Sequence, residues 1–252
     1  MPVPHGRLEG RVAIVTGGGI GLGRAYCKAL AGEGAKVVVA DVNADAAQAV
    51  AKEVGGIAVK VDVTSEAETG AMAAKAVDAH GAIDILVNNA GMYSSITKRP
   101  FTEIPVDEWD RCMAVNVKGV YLCCRAVYPQ MKKQRRGKII NISSGTVMGG
   151  TPMFLHYVSS KGAVIALTRS LAREVGADGI NVNAITPGLT IADESQKKML
   201  SEEYLAPRRQ ARAIKRDQYP EDLVGTVVFL ASGDSDFITG QTLNVDGGTW
   251  FL

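Results

Sequence analysis

A tyrosine and a lysine lie one helical turn apart in the second half of the chain, where the sequence reads YVSSK from Tyr157 to Lys161. Residues four positions apart share one face of a helix, so the phenol and the ammonium would lie side by side. A phenol is a poor base at pH 7, but a neighbouring positive charge stabilises the phenolate and lowers its pKa. Such a pair can exchange a proton with an alcohol oxygen while a hydride moves at carbon. Alone, the pattern is more typical of a helix surface.

Further polar groups follow the strand-like runs that precede this pair. Ser144 ends one such run, thirteen residues before Tyr157, and the NNAG turn (Asn88–Gly91) ends an earlier one. Asn116 lies in the helical segment after that turn. The carboxyl ends of parallel strands face one crevice, so we expect these groups to converge there with Pro187 and Gly188.

A glycine-rich turn joins the first strand-like run to a helical pattern. Residues 12–16 are apolar, and GGGIGLG follows them directly at 17–23. In this context glycines indicate dinucleotide binding, because they let the backbone approach a pyrophosphate whose charge meets the helix N–H groups. The key glycines are Gly17, Gly21 and Gly23, at a spacing that differs from the commoner fingerprint.

The coenzyme preference is predicted from Asp41, which ends the second strand-like run. A carboxylate there accepts hydrogen bonds from the adenosine ribose and repels a 2′-phosphate. Ile20 supplies no cation for such a phosphate, whereas the direction of the nearby Arg24 is left open by the sequence. NAD is therefore predicted over NADP.

The chain alternates β-branched runs with helical periodicities, which predicts βαβ units and a parallel sheet covered by helices on both faces. The candidate strands are Val12–Thr16, Lys36–Ala40, Ile57–Val61, Ile83–Val87, Lys138–Ile142, Ile180–Ile185 and Thr242–Val245. The candidate helices are Gly21–Gly32, Ala44–Val54, Glu66–His80, Val106–Lys133, Tyr157–Val175 and Glu221–Ala231. No linker or repeat divides residues 1–252, so we predict one α/β domain.

In order along the chain, these motifs resemble those of the short-chain dehydrogenase/reductase family. The matching segments are TGGGIGLG (16–23), Asp62-Val63, NNAG (88–91), Asn116, ISS (142–144), YVSSK (157–161), Pro187-Gly188 and ITGQTLNVDGG (238–248). The resemblance implies a Rossmann-type, doubly wound parallel sheet of about seven strands, assembled as a homotetramer through helix pairs and the C-terminal strand.

The resemblance further implies a catalytic tetrad of Asn116, Ser144, Tyr157 and Lys161. Tyr157 would be the acid/base, and Lys161 would hold the nicotinamide ribose and lower the pKa of Tyr157. Ser144 would donate to the substrate oxygen as negative charge develops. Asn116 would hold a helix backbone and a water that relays protons through Lys161.

The resemblance also implies the cofactor site. Asp62 and Val63 would face the adenine, and Asn89 and Ala90 the adenosine ribose. Pro187, Gly188 and Thr190 would line the nicotinamide, although relatives often carry a hydroxyl where Ala192 stands. The full expected set is Gly17, Ile20, Gly21, Leu22, Gly23, Asp41, Asp62, Val63, Asn89, Ala90, Gly91, Tyr157, Lys161, Pro187, Gly188 and Thr190.

The segment from Gly188 to Pro220 breaks the alternation and is a candidate substrate lid. It carries five cations that either are solvated or meet an anionic substrate: Arg208, Arg209, Arg212, Lys215 and Arg216. We expect the substrate pocket to be formed by this lid together with residues 94–97 and 145–154. Its apolar lining is expected from Met92, Tyr93, Met148, Met153, Phe154, Leu189 and Leu205, whereas His156 faces either the pocket or solvent and Trp250 serves packing.

These features predict an NAD-dependent enzyme that interconverts a secondary alcohol and a ketone. The predicted substrate is hydrophobic, with an aryl, alicyclic or medium-chain group. A 3-oxoacyl-thioester reductase is the alternative, since the basic lid can meet a phosphopantetheine phosphate. A non-catalytic cofactor-binding regulatory protein is a more remote alternative, because such proteins typically lack the tetrad that this chain retains.

The composition of the chain argues against several classes of binding partner. Lys and Arg number 28 against 26 Asp and Glu, a net charge of +2 that gives no electrostatic footprint for nucleic acid. No apolar run approaches the ~20 residues of a membrane span, and the N-terminus lacks the apolar core of a secretory signal. The four cysteines form no C-x-x-C pair and the histidines are few, so we expect no metal and a cytoplasmic location.

Overall fold

Seven parallel strands form the sheet of this protein, described here from a computed structural model that covers residues 6–192 and 200–251. Their order is β3-β2-β1-β4-β5-β6-β7, so the direction of winding reverses between β1 and β4. The strands are β1 (Val12–Thr16), β2 (Lys36–Asp41), β3 (Ile57–Lys60), β4 (Ile85–Asn88), β5 (Gly137–Ile142), β6 (Ile180–Pro187) and β7 (Thr242–Val245). The predicted doubly wound α/β sheet is confirmed.

Helices cover both faces because the strands alternate their side chains between two cores. Val12 and Ile14 of β1 pack with α3, α5 and α7, whereas Ala13 and Val15 pack with α1, α2 and α9. The helices are α1 (Gly21–Gly32), α2 (Ala44–Val54), α3 (Glu66–His80), α4 (Val106–Met113), α5 (Gly119–Gln134), α6 (Thr146–Gly149), α7 (Leu155–Val175), α8 (Glu202–Ala211) and α9 (Glu221–Ala231).

Local signals set several helix boundaries. The side chain of Asn43 accepts a hydrogen bond at the start of α2, and that of Ser65 does the same for α3. Both helices end at a glycine in the left-handed region, Gly55 at φ 64° and Gly81 at φ 76°. These bounds agree with the prediction because cap residues act over only a few positions.

The predicted helix Val106–Lys133 is wrong as a single element. A π-helical segment, Ala114–Lys118, separates α4 from α5. Just beyond it, Gly119 packs so closely on Val63 that an added Cβ would lie 2.7 Å from that residue's Cγ2. The contact with the loop after β3 is tertiary, and periodicity within the helix carries no sign of it. Wide turns of this kind frequently occur at functional sites.

The predicted lid contains α8, and residues 193–199 of it lie outside the described residues. A β-bridge between Thr190 and Gln218 joins the two ends of the lid segment. Across the described part of the chain, no helix combines the length and apolar character needed to cross a membrane.

Candidate active site

The turns after β1, β4, β5 and β6 meet at the carboxyl edge of the sheet, around a cavity of about 630 Å³. Half of the predicted site residues line it: Leu22, Asn89, Gly91, Ser144, Tyr157, Lys161, Pro187, Gly188 and Thr190. The remaining ones lie outside its lining: Gly17, Ile20, Gly21, Gly23, Asp41, Asp62, Val63, Ala90 and Asn116. Several of these residues hold the lining residues in place by hydrogen bonds or packing.

The glycine turn has room for no side chain at its centre. A Cβ on Gly23 would lie 1.9 Å from the carbonyl oxygen of Gly17, which itself has φ +61°. Helix α1 then begins without a side-chain cap at Ile20 and without an acidic residue in its first turn. Its first N–H groups and the positive end of its dipole therefore suit an anion, which fits the pyrophosphate of a dinucleotide.

Asn89 and Thr16 fix this turn to the end of β4. The Thr16 hydroxyl accepts hydrogen bonds from the N–H groups of Asn89 and Ala90, both at 3.1 Å. The Asn89 side-chain amide donates to the carbonyl oxygens of Thr16 and Gly17, both at 3.0 Å. The expected ribose contact of Asn89 would therefore involve its remaining atoms, since its amide nitrogen holds the glycine turn.

Asp41 lies at the end of β2 and is 8% exposed. One carboxylate oxygen accepts from Gly19 N and the other from Asn43 N, each at 2.9 Å. Each oxygen keeps a second lone pair, so the carboxylate is held in place and can still accept from a ribose hydroxyl. Arg24, whose direction the sequence left open, makes a two-point contact with Glu53 at 2.9 and 2.6 Å.

Asp62 and Val63 have side chains that serve the fold. The Asp62 carboxylate accepts from the backbone and the hydroxyl of Thr64, at 2.9 and 2.8 Å. Val63 packs into the core beneath α5. The side chain of Val63 lies against Gly119, and its predicted place at the adenine stays a prediction.

Tyr157 and Lys161 are both buried and line the cavity. Burial raises the pKa of the Tyr157 phenol, and a hydrogen bond with Ser144 only partly opposes this. The expected lowering by Lys161 is not found here, because the Lys161 ammonium lies 5.8 Å from the ring centroid and donates to the carbonyl of Ile142 at 2.8 Å. Burial also lowers the pKa of Lys161, to about 8.

Ser144 follows β5 and presents its hydroxyl to the cavity. Its Oγ accepts from the N–H of Thr146 at 3.3 Å and from the hydroxyl of Thr146 at 3.0 Å. With its lone pairs engaged in this way, the hydroxyl proton is the part of Ser144 left to donate. A donor beside the Tyr157 phenol is what a substrate oxygen gaining negative charge requires.

Asn116 is fully buried in the π-helical segment and clamps the loop after β4. Its Oδ1 accepts from Met92 N at 2.7 Å, and its Nδ2 donates to Met92 O at 3.2 Å and to Ser160 Oγ at 3.0 Å. The expected hold on a helix backbone is thus wrong, because the backbone that this side chain holds belongs to a loop. Asn116 acts on the site through Met92 and α7.

The apolar part of the pocket is smaller than predicted. Met92, Tyr93, Phe154 and Leu189 line the cavity as expected. Residues 94–97, Met148, Met153 and Leu205 do not, because the chain turns them to solvent, to other contacts or, for Leu205, to the inner side of α8. Lining residues outside the predicted pocket segments include Lys98, Asp246, Thr249 and Trp250.

His156 is fully buried, so both predicted placements are wrong. Its Nε2 lies 3.0 Å from a carboxylate oxygen of Glu108 on α4. Sequence position beside Tyr157 gave no hint of this, because adjacent residues on a helix point about 100° apart and only packing decides which face is inside.

Most lid cations are used within the protein. Arg209 pairs with Glu202 and Asp217, and Arg216 pairs with Asp222. Arg212 is 4% exposed and donates to backbone carbonyls of Leu189 and Arg216. Lys215 donates to the carbonyl of Gln210. Arg208 differs, because its guanidinium stacks on the Tyr204 ring at 3.5 Å and lines the cavity.

The fold and this arrangement of groups define an α/β nucleotide-dependent oxidoreductase. The sequence profile of a family described as enoyl-(acyl carrier protein) reductase matches residues 18–249. Sorbitol dehydrogenase of Cereibacter sphaeroides is 39% identical over 97% of this chain and 99% of its own. A 3-alpha-(or 20-beta)-hydroxysteroid dehydrogenase of Mycobacterium tuberculosis is 40% identical over 97% of this chain and 91% of its own.

A crystal structure described as ribose-5-phosphate isomerase from Brucella melitensis has a TM-score of 0.89 and 36% identity, and the match covers 98% of this chain and 94% of that one. With these matches, the chain belongs to the short-chain dehydrogenase/reductase family. It is an enzyme that acts on CH–OH groups.

Proposed function

We propose that this protein is an NAD-dependent oxidoreductase that interconverts a hydrophobic secondary alcohol and its ketone. The observation that carries the proposal is the placement of Ser144, Tyr157 and Lys161 on one wall of the cavity at the carboxyl edge of the sheet. We propose further that it works in the cytoplasm as a homotetramer, as the family resemblance implies.

The chain's own groups account for the proton side of the reaction. The nicotinamide, when bound, accepts or supplies the hydride. Ser144 donates to the substrate oxygen, and Tyr157 takes the hydroxyl proton during oxidation and returns it during reduction. Burial keeps the Tyr157 phenol protonated, which favours donation of its proton to a ketone oxygen, while the Lys161 ammonium lies 5.8 Å from the ring centroid and donates to the carbonyl of Ile142. Asn116 keeps the Met92 loop at a fixed distance from this pair.

NAD is favoured by the electrostatics around the adenosine end. Asp41 is held by two backbone N–H groups, so its negative charge stays where a 2′-phosphate would otherwise lie. The guanidinium of Arg24 is engaged by Glu53 and is thereby drawn away from phosphate binding. Both observations support discrimination against NADP.

A hydrophobic substrate is favoured by the aromatic wall beside the proton-transfer group. Phe154 stacks on Tyr157 with ring centroids 4.5 Å apart, and Tyr93 lies 5.5 Å from Tyr157. Rings at these distances favour a flat or alicyclic apolar group. The hydroxysteroid dehydrogenase among the relatives is named for an alicyclic secondary alcohol, whereas sorbitol is a polyol.

The competing function, reduction of a 3-oxoacyl thioester, shares an acyl-carrier thioester substrate, but not the reacting group, with the enoyl-(acyl carrier protein) reductase that describes the matching family. The lid gives it less support than the sequence alone, because Arg209, Arg212 and Arg216 already have acceptors within the protein. The non-catalytic alternative conflicts with the complete set of Ser144, Tyr157 and Lys161 at the cavity.

The decisive experiment follows NADH absorbance with a panel of secondary alcohols, with NAD and NADP in parallel. We expect turnover with NAD on an apolar alcohol, and a Tyr157→Phe variant with NAD affinity unchanged and kcat lower by about 10³-fold. Near-normal turnover by that variant would show that another group moves the proton. Wild-type activity confined to acyl thioesters with NADPH would replace the proposal with its competitor.

A further inference from the structure

We infer that the substrate carries a carboxylate, bound between Lys98 and Arg208 at the rim of the cavity. This inference rests on the proposed function and adds the substrate class. Lys98 lies outside every sequence motif, whereas Arg208 is one of the lid cations that the sequence left as solvated or substrate-binding. Lys98 belongs to the loop after β4 and Arg208 to α8, and the fold brings both to the rim of one cavity.

The charges around the cavity separate into engaged and unengaged groups. Asp246 accepts from the N–H groups of Gly248, Thr249 and Trp250. Arg212 donates to backbone carbonyls, and Lys161 donates to Ile142 beside the catalytic ring.

Within the described residues, none of the four cations that line the cavity has a carboxylate partner. Lys161 and Arg212 are buried, whereas Lys98 is exposed and Arg208 is half-buried, so these two keep N–H donors that a ligand can reach. Their hydrogen bonds go to Tyr204, from Lys98 to its hydroxyl at 3.4 Å and from Arg208 to its carbonyl at 2.6 Å. Among residues 6–192 and 200–251, no carboxylate oxygen lies within 4.0 Å of either cation. Two cations with free N–H donors at the rim of an apolar cavity suit an anionic group on the ligand.

Tyr204 brings the two cations together. The Arg208 guanidinium lies 3.5 Å from the centroid of the Tyr204 ring, and the Lys98 ammonium lies 5.7 Å from that centroid. Burial raises the pKa of Tyr93, and the positive charge of Arg208 lowers it. The Arg208 charge therefore acts on another residue that lines the cavity. Both cations therefore belong to one cluster around Tyr204, where the inferred carboxylate would accept from them.

Aromatic rings connect this pair to the reacting end and set its distance. Phe154 stacks on Tyr157 with centroids 4.5 Å apart, and the Lys98 ammonium lies 5.4 Å from the Phe154 centroid. The Phe154 ring thus neighbours both the Tyr157 ring and the Lys98 ammonium. A substrate ring packed on Phe154 would carry its carboxylate towards Lys98, so we expect an acid whose carboxylate is separated from the carbinol carbon by about one aromatic ring.

The test compares two probes of equal shape, 4-(1-hydroxyethyl)benzoate and its neutral carboxamide, with mandelate as the acid whose carboxylate is on the carbinol carbon. We expect wild-type kcat/KM to favour the benzoate over the amide by at least about tenfold, with mandelate poor. Lys98→Met and Arg208→Gln should each reduce the acid-to-amide ratio by about tenfold. Lys215→Met, which removes an exposed lid cation outside the cavity, is the matched control and should leave the ratio unchanged.

A second measurement separates this inference from the proposed function. Calorimetry with NAD present, so that the ketone is not reduced, should show that 4-acetylbenzoate binds more tightly than 4-acetylbenzamide, and the same two variants should abolish that difference. Acid-selective binding without turnover of any alcohol would overturn the function and keep the carboxylate site. Equal use and binding of acid and amide would overturn the carboxylate site and keep the function, as would a preference that survives both substitutions.

Discussion

At the scale of single residues, burial decides the chemistry of the site more than pairwise contact does. Tyr157 and Lys161 lie one turn apart as the sequence predicts, yet each is shifted towards its neutral form by desolvation. The Tyr157 phenol is therefore protonated and can donate its proton, whereas the buried positive charge of Lys161 lowers the stability of the folded chain.

That cost is measurable as a pH-dependent stability. The pKa of Lys161 falls from 10.5 to about 8 on folding, so between these values the unfolded chain binds more protons and stability rises with pH. Below pH 8 the full penalty applies, about 3 kcal/mol. We predict that Lys161→Met raises the free energy of unfolding in urea at pH 7 by up to about 3 kcal/mol.

The advantage of Lys161→Met should shrink as the pH approaches 10.5, since the wild-type lysine then loses its proton in both states. The exposed Lys215→Met change should show no comparable pH dependence. A Lys161→Met protein less stable than wild type at pH 7 would mean that the bond to Ile142 outweighs desolvation.

Coenzyme choice is also a residue-scale property. We predict that Asp41→Ser lowers the NAD/NADP ratio of kcat/KM by about 10–100-fold, because it removes an acceptor for the ribose and the charge that repels a phosphate. Glu53→Gln is the matched variant, since it frees Arg24 without touching Asp41. A larger shift in Glu53→Gln than in Asp41→Ser would assign phosphate recognition to Arg24.

At the scale of elements, α1 and the π-helical segment do different work. Helix α1 offers an uncapped N-terminus over a turn with no space for a Cβ, which suits a phosphate. The π-helical segment turns Asn116 inward to fix the Met92 loop. The phosphate-binding turn is formed by neighbouring residues, whereas Asn116 contacts Met92, which lies 24 positions away in the chain.

Two glycines of α1 make a direct test. Gly23→Ala should abolish NAD binding and cost about 1–3 kcal/mol of stability, because its Cβ would meet the Gly17 carbonyl at 1.9 Å. Gly32→Ala meets nothing within 4 Å and should add about 0.5–1 kcal/mol with NAD affinity unchanged. Calorimetric NAD titration and urea unfolding measure both, and normal NAD binding by Gly23→Ala would refute the turn as the pyrophosphate site.

At the scale of the whole molecule, apolar side chains remain on the surface around α4 and α5. Val106 is 75% exposed and Tyr121 is 50% exposed. Strand β7 ends the sheet with four half-buried residues and pairs with β6. Exposed apolar side chains and open sheet edges are typical of surfaces that another subunit covers.

We predict that light scattering gives about four times the 26.6 kDa of one chain. Tyr121→Glu should lower the mass by placing a charge in an apolar contact, while circular dichroism stays that of the wild type. A wild-type protein that scatters as a single chain would remove the tetramer and the role given to these surfaces.

The sequence by itself determined the fold, because the signals involved are local, and its motifs pointed to the candidate reacting groups. β-branched runs, cap residues at Asn43 and Ser65 and the glycines of the first turn each act over a few positions. Their order was enough to predict the sheet, most helix bounds and the convergence of Ser144, Tyr157 and Lys161.

Only the tertiary structure decided where individual side chains point and how strongly they are desolvated. Asn89 turned to hold the glycine turn, His156 turned inward to Glu108, and the lid cations found acceptors within the protein, leaving Lys98 and Arg208 at the cavity. These contacts join residues far apart in the chain, and burial depends on everything packed around a group. Neither the direction of a side chain nor its degree of desolvation can be read from the spacing of a motif. Only the structure therefore showed that Lys98 lies with Arg208 at the cavity.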